Sequence, residues 1–297
     1  MNFPAEYAGC AEKPPSYLRS DKTLVMGILN VTPDSFSDGG KWASPNQAIE
    51  HGLELISQGA DIIDVGGEST APGRKPISAT EEIDRIMPVI QGLHRERVLL
   101  SCDTLHADTA QVAVEQGVDI INDVSGGIAD ESMLSTVANL QDQHPRLSYI
   151  CQHWRGSPEI ANELAVYQNT PMEVWHELED RIVLMHECGL DMRRVIIDPG
   201  LGFSKVGNQD WEILASLDTY LGRGYPVLVG PSRKRYLEHF ETASPGRHPR
   251  DDATVAVALY CAVKGVWAVR VHNVPPVAVS LDVIRTLRER HRCRAVF

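Results

Sequence analysis

The chain has 297 residues, of which 43% are hydrophobic and 23% charged, a composition typical of globular proteins that excludes general disorder. Its 28 basic and 40 acidic residues give a formal net charge of −12, which argues against non-specific nucleic-acid binding, because such binding needs a basic surface. Residues 1–20 lack the apolar segment of a secretory signal, and the apolar stretch 255–271 is too interrupted by charge to span a membrane.

The cysteines indicate the compartment. All six are scattered along the chain and none belongs to a CxxC pair, which is typical of free thiols in a reducing environment. We therefore expect a cytoplasmic protein whose partners are small molecules, and neither nucleic acid nor a membrane.

Eight short, β-rich apolar runs alternate with longer amphipathic patterns. The predicted strands are residues 24–29, 62–65, 98–102, 120–121, 147–151, 195–197, 226–229 and 266–271. The clearest helical patterns are residues 47–58, 80–93, 107–116, 172–188, 211–221, 252–263 and 277–290. A strand followed by a helix, repeated in this way, predicts an α/β fold, the (β/α)8 TIM barrel.

A doubly wound sheet is the alternative fold. It often carries a Gly-rich fingerprint after the first strand, whereas residues 30–34 here read NVTPD, with neither GxGxxG nor a Walker A lysine. No long polar linker divides the chain, so residues 22–297 are predicted to form one domain after an N-terminal extension, residues 1–21. Residues 241–250, rich in Ser, Pro, Gly and Arg, predict a surface loop.

Polar residues stand at the end of every predicted strand. In chain order they are Asn30, Asp64, Asp103 with Thr104, Asn122 with Asp123, residues 153–155 (HWR), Asp198, residues 232–234 (SRK), and Arg270 with His272. Active sites of TIM barrels lie at the carboxyl ends of the strands. We therefore expect these side chains to meet at one rim.

The residue types at this rim predict a ligand with a polar ring and a phosphate-bearing arm. Two carboxylates, an amide and an amine can bind a heterocycle; they belong to Asp103, Asn122, Asp198 and Lys234. The groups suited to an anion belong to Arg270, His272 and Arg233. Arginine matches phosphate oxygens particularly well, because its donors form a planar fork.

Each of these residues also has a structural interpretation. An Asp or Asn at a strand end often caps the next helix, and we expect purely structural roles for Thr104 and Asp123. Taken alone, His272 would be a packing or surface residue. The agreement across all eight strands is what favours a ligand site.

Residues 26–40 (MGILNVTPDSFSDGG) resemble the opening signature of dihydropteroate synthases. Further matches follow in order at residues 66–70 (GGEST), 103–104 (DT), 121–127 (INDVSGG), 198–203 (DPGLGF), 232–234 (SRK) and 270–272 (RVH). The resemblance covers roughly residues 22–290, and the segments at 153–155 and 232–235 look most similar to actinobacterial members.

The resemblance implies a usually homodimeric (β/α)8 barrel that condenses 4-aminobenzoate with 6-hydroxymethyl-7,8-dihydropterin diphosphate. The products would be pyrophosphate and 7,8-dihydropteroate, on the folate pathway. Mg²⁺ is the implied metal, and sulfonamides are the implied mimics of aminobenzoate. Such a reaction needs no protein nucleophile and proceeds through positioning and electrostatic stabilisation.

The matching positions also imply substrate and metal contacts. Asn30 would contact Mg²⁺, whose remaining ligands are commonly waters and substrate oxygens. The pterin would be held by Asp103, Asn122, Asp198 and Lys234. Arg270 and His272 would bind the diphosphate.

Further implied contacts lie in loops. Phe203 and Ser232 would border the aminobenzoate, and Thr70 would lie near both the diphosphate and the aminobenzoate. Pro33, Phe36 and Asp38 would belong to a first loop that closes over the reactants. The catalytic residues implied in this way are Asp38, Lys234, Arg270 and His272.

The chain departs from the family pattern at three positions. Ala71 stands where the second loop usually carries Arg, and Arg74 and Lys75 are nearby candidates to replace that charge. Asn273 stands where the family has Asp, and His106 occupies a position that is often basic.

Two alternative functions follow from these departures. One is a weak or inactive pterin-binding homologue, favoured by Ala71. The other is a different pterin-binding barrel, such as a methyltetrahydrofolate methyltransferase, a class that has no need of Lys234 in an SRK motif.

Overall fold

The computed structural model describes residues 13–32, 45–68, 76–157, 159–242 and 248–294. Within them, eight parallel strands form one sheet. They are β1 (Leu24–Asn30), β2 (Ile62–Gly66), β3 (Leu99–Asp103), β4 (Ile120–Asp123), β5 (Ser148–Gln152), β6 (Val195–Asp198), β7 (Leu228–Val229) and β8 (Ala268–Val271).

The sheet closes into a barrel. Its strand order is β6-β5-β4-β3-β2-β1-β8-β7, and a parallel bridge between Ile197 and Val227 joins its two ends. The predicted (β/α)8 barrel is therefore confirmed. The short β7 begins two residues later than predicted, after this bridge.

Helices alternate with the strands along the described chain. They are α1 (Pro45–Ser57), α2 (Ala79–Leu93), α3 (Ala107–Glu115), α4 (Met133–Gln143), α5 (Thr170–Glu187), α6 (Gln209–Ala215), α7 (Asp218–Leu221), α8 (Asp251–Lys264) and α9 (Val274–Arg294). None of the described helices has the length and apolarity needed to cross a bilayer.

Two helical features differ from the sequence-based prediction. The helical patterns read from the sequence omit α4, which packs through Met133, Leu134 and Val137. The helix predicted over 211–221 divides into α6 and α7, because the chain leaves helical geometry at Ser216 while Leu217 is fully buried.

The lower half of the barrel interior is apolar. Alternate strand residues face inward, and the inward layer consists of Met26, Ile62, Ile120, Ile150, Ile196, Leu228 and Ala268. Leu18, in the segment predicted as an N-terminal extension, packs on this layer and is only 2% exposed. The described part of this segment, residues 13–21, therefore contributes to the core through Leu18.

Most positions in the upper half of the interior are polar. Two residues beyond the apolar layer, the inward positions are occupied by Asp64, Asn122, Gln152, Asp198 and Arg270. The period of two along each strand thus separates an apolar base from a polar rim.

Candidate active site

A cavity of about 650 Å³ opens at the carboxyl ends of the strands. Nine of the residues predicted from the sequence line it: Asn30, Asp103, Asp198, Phe203, Ser232, Arg233, Lys234, Arg270 and His272. The fold therefore gathers, at one rim, side chains that are widely separated in the sequence.

Of the remaining predicted site residues, one is placed differently and two lie outside the described residues. Asn122 is buried, and its Nδ2 donates to Asp64 Oδ2 over 3.0 Å instead of lining the cavity. Asp38 and Thr70 lie outside the described residues, as do Pro33, Phe36, Ala71, Arg74 and Lys75.

Arg270 connects two carboxylates on neighbouring strands. Its Nε donates to Asp64 Oδ2 and its Nη2 donates to Asp103 Oδ2, each over 2.6 Å. Burial raises the pKa of Asp103 to about 7, against the opposing effect of the Arg270 guanidinium. Asp103 therefore titrates near neutral pH.

Asp198 and Lys234 form the opposite wall of the cavity. Burial raises the pKa of Asp198 to about 6, although its Oδ1 accepts a 2.7 Å hydrogen bond from the Gly200 N–H. Burial, followed by repulsion from Arg270, lowers the pKa of Lys234 to about 8. Both groups are therefore mostly charged at pH 7, but the pKa of each lies close to that pH.

Phe203 lies under the Lys234 ammonium. The Nζ is 4.2 Å from the ring centroid, within cation–π range. Gly202 has a φ of +77°, and a Cβ there would lie 2.8 Å from Lys234 Cδ. Glycine is therefore required beside Phe203 for Lys234 to reach the cavity.

His272 is neutral at pH 7 because burial and the nearby Arg233 lower its pKa to about 3. Ser232 Oγ accepts the His272 backbone N–H over 3.2 Å and lies 2.9 Å from Nδ1. When the hydroxyl donates to Nδ1, the ring proton lies on Nε2. His272 then offers an N–H donor to the cavity.

Arg233 lines the cavity, but its guanidinium is bound to Asp251 and is therefore less available to an anion. Its backbone is left-handed, with a φ of +58°, and its Nε donates to Asp251 Oδ1 over 2.8 Å. Asn273 Nδ2 donates to the other oxygen of Asp251 over 3.0 Å. The family's Asp at position 273 would instead place a second carboxylate there.

Directly after β5, two of the predicted side chains point away from the rim. His153 Nε2 lies 2.9 Å from Glu177 Oε2 of α5, and Arg155 also binds Glu177 while stacking on Tyr167. The interpretation of residues 153–155 as rim groups is therefore wrong for His153 and Arg155. The preceding Gln152 lines the cavity instead.

Lys205 is a buried cation that sequence reasoning missed. Only 2% exposed, its Nζ donates to Gly200 O over 3.0 Å and Phe203 O over 2.9 Å, and lies 3.2 Å from His153 Nδ1. Burial lowers the pKa of Lys205 to about 8. The available signal was a lysine two residues after the 198–203 motif.

Thr104 and Asp123 have the structural roles that were predicted. Thr104 Oγ1 donates to the buried Glu82 over 2.6 Å. Asp123 accepts the backbone N–H groups of Ser125 and Gly127 and the Tyr149 hydroxyl.

Asn30 is the predicted metal contact at the mouth of the cavity. Among the residues the structure describes, no cluster of three or more His, Cys, Asp or Glu side chains is arranged for a metal ion. One amide oxygen fits Mg²⁺ that is carried largely by substrate oxygens and water, because that ion needs few protein ligands.

The chain is similar to well-characterised proteins over most of its length. Residues 26–272 match the model of the family described as pterin binding enzyme. The dihydropteroate synthase of Mycobacterium leprae is 39% identical over 265 residues, covering 88% of this chain and 92% of the relative.

Two solved structures of Xanthomonas albilineans dihydropteroate synthase have the same fold. The complex with 4-aminobenzoic acid has a TM-score of 0.80 and 36% identity, covering 90% of this chain and 94% of that one. The complex with 7,8-dihydropteroate has a TM-score of 0.78 and 34% identity, covering 94% and 97%. The chain belongs to the dihydropteroate synthase family of pterin-binding enzymes.

Proposed function

We propose that the chain condenses 4-aminobenzoate with 6-hydroxymethyl-7,8-dihydropterin diphosphate, giving 7,8-dihydropteroate and pyrophosphate. The observation that carries the proposal is the single cavity in which Asp103, Asp198, Lys234 and Arg270 converge. It joins acceptors for a heterocycle to a cation for a phosphate.

The pterin would lie between the two cavity carboxylates. Ionised Asp103 and Asp198 accept N–H groups of the ring, while Lys234 donates to a ring acceptor. Asn122 would add an amide from below. Burial strengthens each of these hydrogen bonds, because the local dielectric constant is low.

The aminobenzoate would pack against Phe203, with Ser232 near its polar end. The Xanthomonas albilineans enzyme was solved with 4-aminobenzoic acid, which supports an aminobenzoate site in this family. We expect sulfonamides to compete for this position, because they resemble aminobenzoate in shape.

The chemical step breaks the bond between the pterin methylene carbon and the diphosphate oxygen. The electron pair leaves with pyrophosphate, while the amine nitrogen forms the new C–N bond and then loses a proton to the released pyrophosphate or to water. Arg270 and the His272 Nε2–H would stabilise the leaving anion, and Asp103 and Asp198 would stabilise positive charge on the pterin. The rest of the rate acceleration would come from holding the two substrates in the geometry for reaction.

Asn30 would hold Mg²⁺ through its amide oxygen at the end of β1. When bound, the ion would neutralise part of the diphosphate charge. Two further proposed residues lie outside the described ranges. Asp38 would belong to the loop that closes over the reactants and would favour positive charge on the pterin, and Thr70 would lie near the diphosphate and the aminobenzoate.

Ala71 supports a second candidate, a homologue that binds pterin and turns over slowly or not at all. The family's Arg at this position would add a cation near the leaving group. Loss of one such charge costs on the order of a hundredfold in rate.

We also propose that the protein is a homodimer joined through α8 and α9. These helices contact each other and expose several large apolar side chains: Tyr260, Val263, Val279, Val283 and Leu287. Burial of such a patch by a second copy would remove apolar area from water.

The cytoplasmic location stays a prediction, which cell fractionation tests.

The function is tested by incubating the chain with Mg²⁺, the pterin diphosphate and 4-aminobenzoate, and measuring dihydropteroate by chromatography. We expect product with the wild type and at least a hundredfold slower formation with Lys234→Met, which removes a buried donor. Absence of product from a folded wild type that still binds the pterin diphosphate would favour the second candidate.

A further inference from the structure

Asp64 is a buried carboxylate beneath the cavity that the reaction scheme above does not use. It lies on β2, faces the barrel interior and is 0% exposed. Its Oδ2 accepts two hydrogen bonds, from Arg270 Nε over 2.6 Å and from Asn122 Nδ2 over 3.0 Å. One oxygen atom thus joins side chains of β4 and β8.

The two carboxylates bound to Arg270 differ in their access to ligand. Asp103 lines the cavity and its side chain is 13% exposed, whereas the Asp64 side chain is completely buried. A ligand that engages Asp103 therefore competes with one of the two contacts of Arg270. The contact with Asp64 lies out of its reach and would keep the guanidinium in place.

Packing alone does not account for the carboxylate. Its Oδ1 is buried and has no hydrogen-bond partner among the described residues. Ser101, its register neighbour on β3, also has a buried hydroxyl without a described partner. Unsatisfied buried polar atoms destabilise a fold. The hydrogen bonds that Asp64 does make go to two residues of the site, Arg270 and Asn122.

We propose that Asp64 is a positioning residue that orients Arg270 toward the diphosphate and Asn122 toward the pterin. The inference rests on the proposed function, because it assigns Asp64 to that same site. Asp64 acts through its two partners and touches neither substrate. Its loss should weaken binding of both halves of the pterin diphosphate.

The test compares Asp64→Asn with Ser101→Ala. Asp64→Asn keeps the shape and removes the charge. Ser101→Ala is the matched control, because Ser101 is the adjacent inward residue and has no described bond to the site. Calorimetry would measure binding of 6-hydroxymethylpterin with and without its diphosphate, and thermal melting would report stability.

For Asp64→Asn we expect affinity for the pterin diphosphate to fall tenfold or more, on the order of one lost charged hydrogen bond. Affinity for the pterin alone should fall less, and Ser101→Ala should change neither affinity. Should Asp64→Asn fail to accumulate as folded protein, Asp64→Ser is measured in the same way. Lower thermal stability with unchanged affinities would overturn the proposal.

A double-mutant cycle separates positioning from general damage. In an Arg270→Leu background, Asp64→Asn should no longer change the difference in affinity between the two ligands. The guanidinium through which Asp64 would affect diphosphate binding is absent in that background. Additive losses would contradict a role through Arg270. A wild type that binds neither ligand would refute the proposed function instead, before any variant is compared.

Discussion

At the scale of single residues, the site contains three ionisable groups whose pKa values lie close to neutral pH. Burial raises the pKa of Asp103 to about 7 and of Asp198 to about 6, and lowers that of Lys234 to about 8. In each case burial disfavours the charged form. The charges that the pterin would meet are therefore sensitive to modest changes in pH.

The affinity for a pterin without phosphate should depend on pH. Both carboxylates have raised pKa values, so they are ionised above about 7 and become protonated, in turn, as the pH falls through 7 and 6. A protonated acid loses acceptor capacity. Calorimetry from about pH 7.5 to 5.5 should show affinity falling roughly tenfold.

Asp103→Asn is the control for this profile. It should bind less tightly at neutral pH, and the decrease between pH 7.5 and 6.5 should be much smaller, about twofold or less, because its upper titrating group is gone. A flat profile for the wild type would show that neither carboxylate accepts from the ring in its ionised form.

Ala71→Arg tests the departure from the family in the second loop. Restoring the cation should raise turnover by up to about a hundredfold, because a positioned charge would again face the departing diphosphate. Steady-state kinetics measures this directly. Unchanged or lower turnover would show that Arg74 or another group already fills the role.

At the scale of elements, the conformation of the segment between β6 and α6 depends on the side chain of Lys205. Lys205 binds the carbonyl groups of Gly200 and Phe203, and the Tyr167 hydroxyl donates to Ser204 O over 2.9 Å. Ser204 has a φ of +48°, an uncommon conformation for a residue with a Cβ. These bonds determine where Phe203 lies.

Lys205→Met should therefore affect aminobenzoate more than pterin. We expect its KM for 4-aminobenzoate to rise about tenfold and the affinity for the pterin diphosphate to change less than threefold. The matched control is Lys264→Met, which breaks the exposed ion pair with Asp218 and should leave both values unchanged. Equal losses for both substrates would indicate general disruption.

The sequence was most informative where burial imposes a simple pattern. Strands covered on both faces read as continuous apolar runs, and the first polar residue after such a run marks the rim, as Asn30 and Asp198 do. Pairings across the barrel could not be predicted in this way. The bonds of Asp64 to Arg270 and of Lys205 to Phe203, and the turning of His153 toward α5, depend on the assembled fold.

At the scale of the whole molecule, the barrel has an apolar base and a polar rim, while one outer face remains apolar. Val283 and Leu287 on α9 are 54% and 61% exposed, and Val263 on α8 is 59% exposed. Exposed apolar residues on two helices that contact each other are typical of an interface.

Val283→Asp should dissociate the proposed dimer. A charge buried in an apolar interface without a partner opposes association, so light scattering should report a monomer at concentrations where the wild type is dimeric. Val166→Asp is the control, because Val166 is 76% exposed and belongs to the segment between β5 and α5 instead of to α8 or α9. A wild type that is monomeric at every concentration would refute the dimer.

The most direct test of the central claim is pyrophosphate release from the pterin diphosphate with Mg²⁺, with and without 4-aminobenzoate. A rim built for positioning predicts release that depends on aminobenzoate and matches dihydropteroate formation mole for mole. Two results would contradict the assignment as a synthase. One is no pyrophosphate release despite tight binding of the pterin diphosphate, and the other is release at the same rate with and without 4-aminobenzoate.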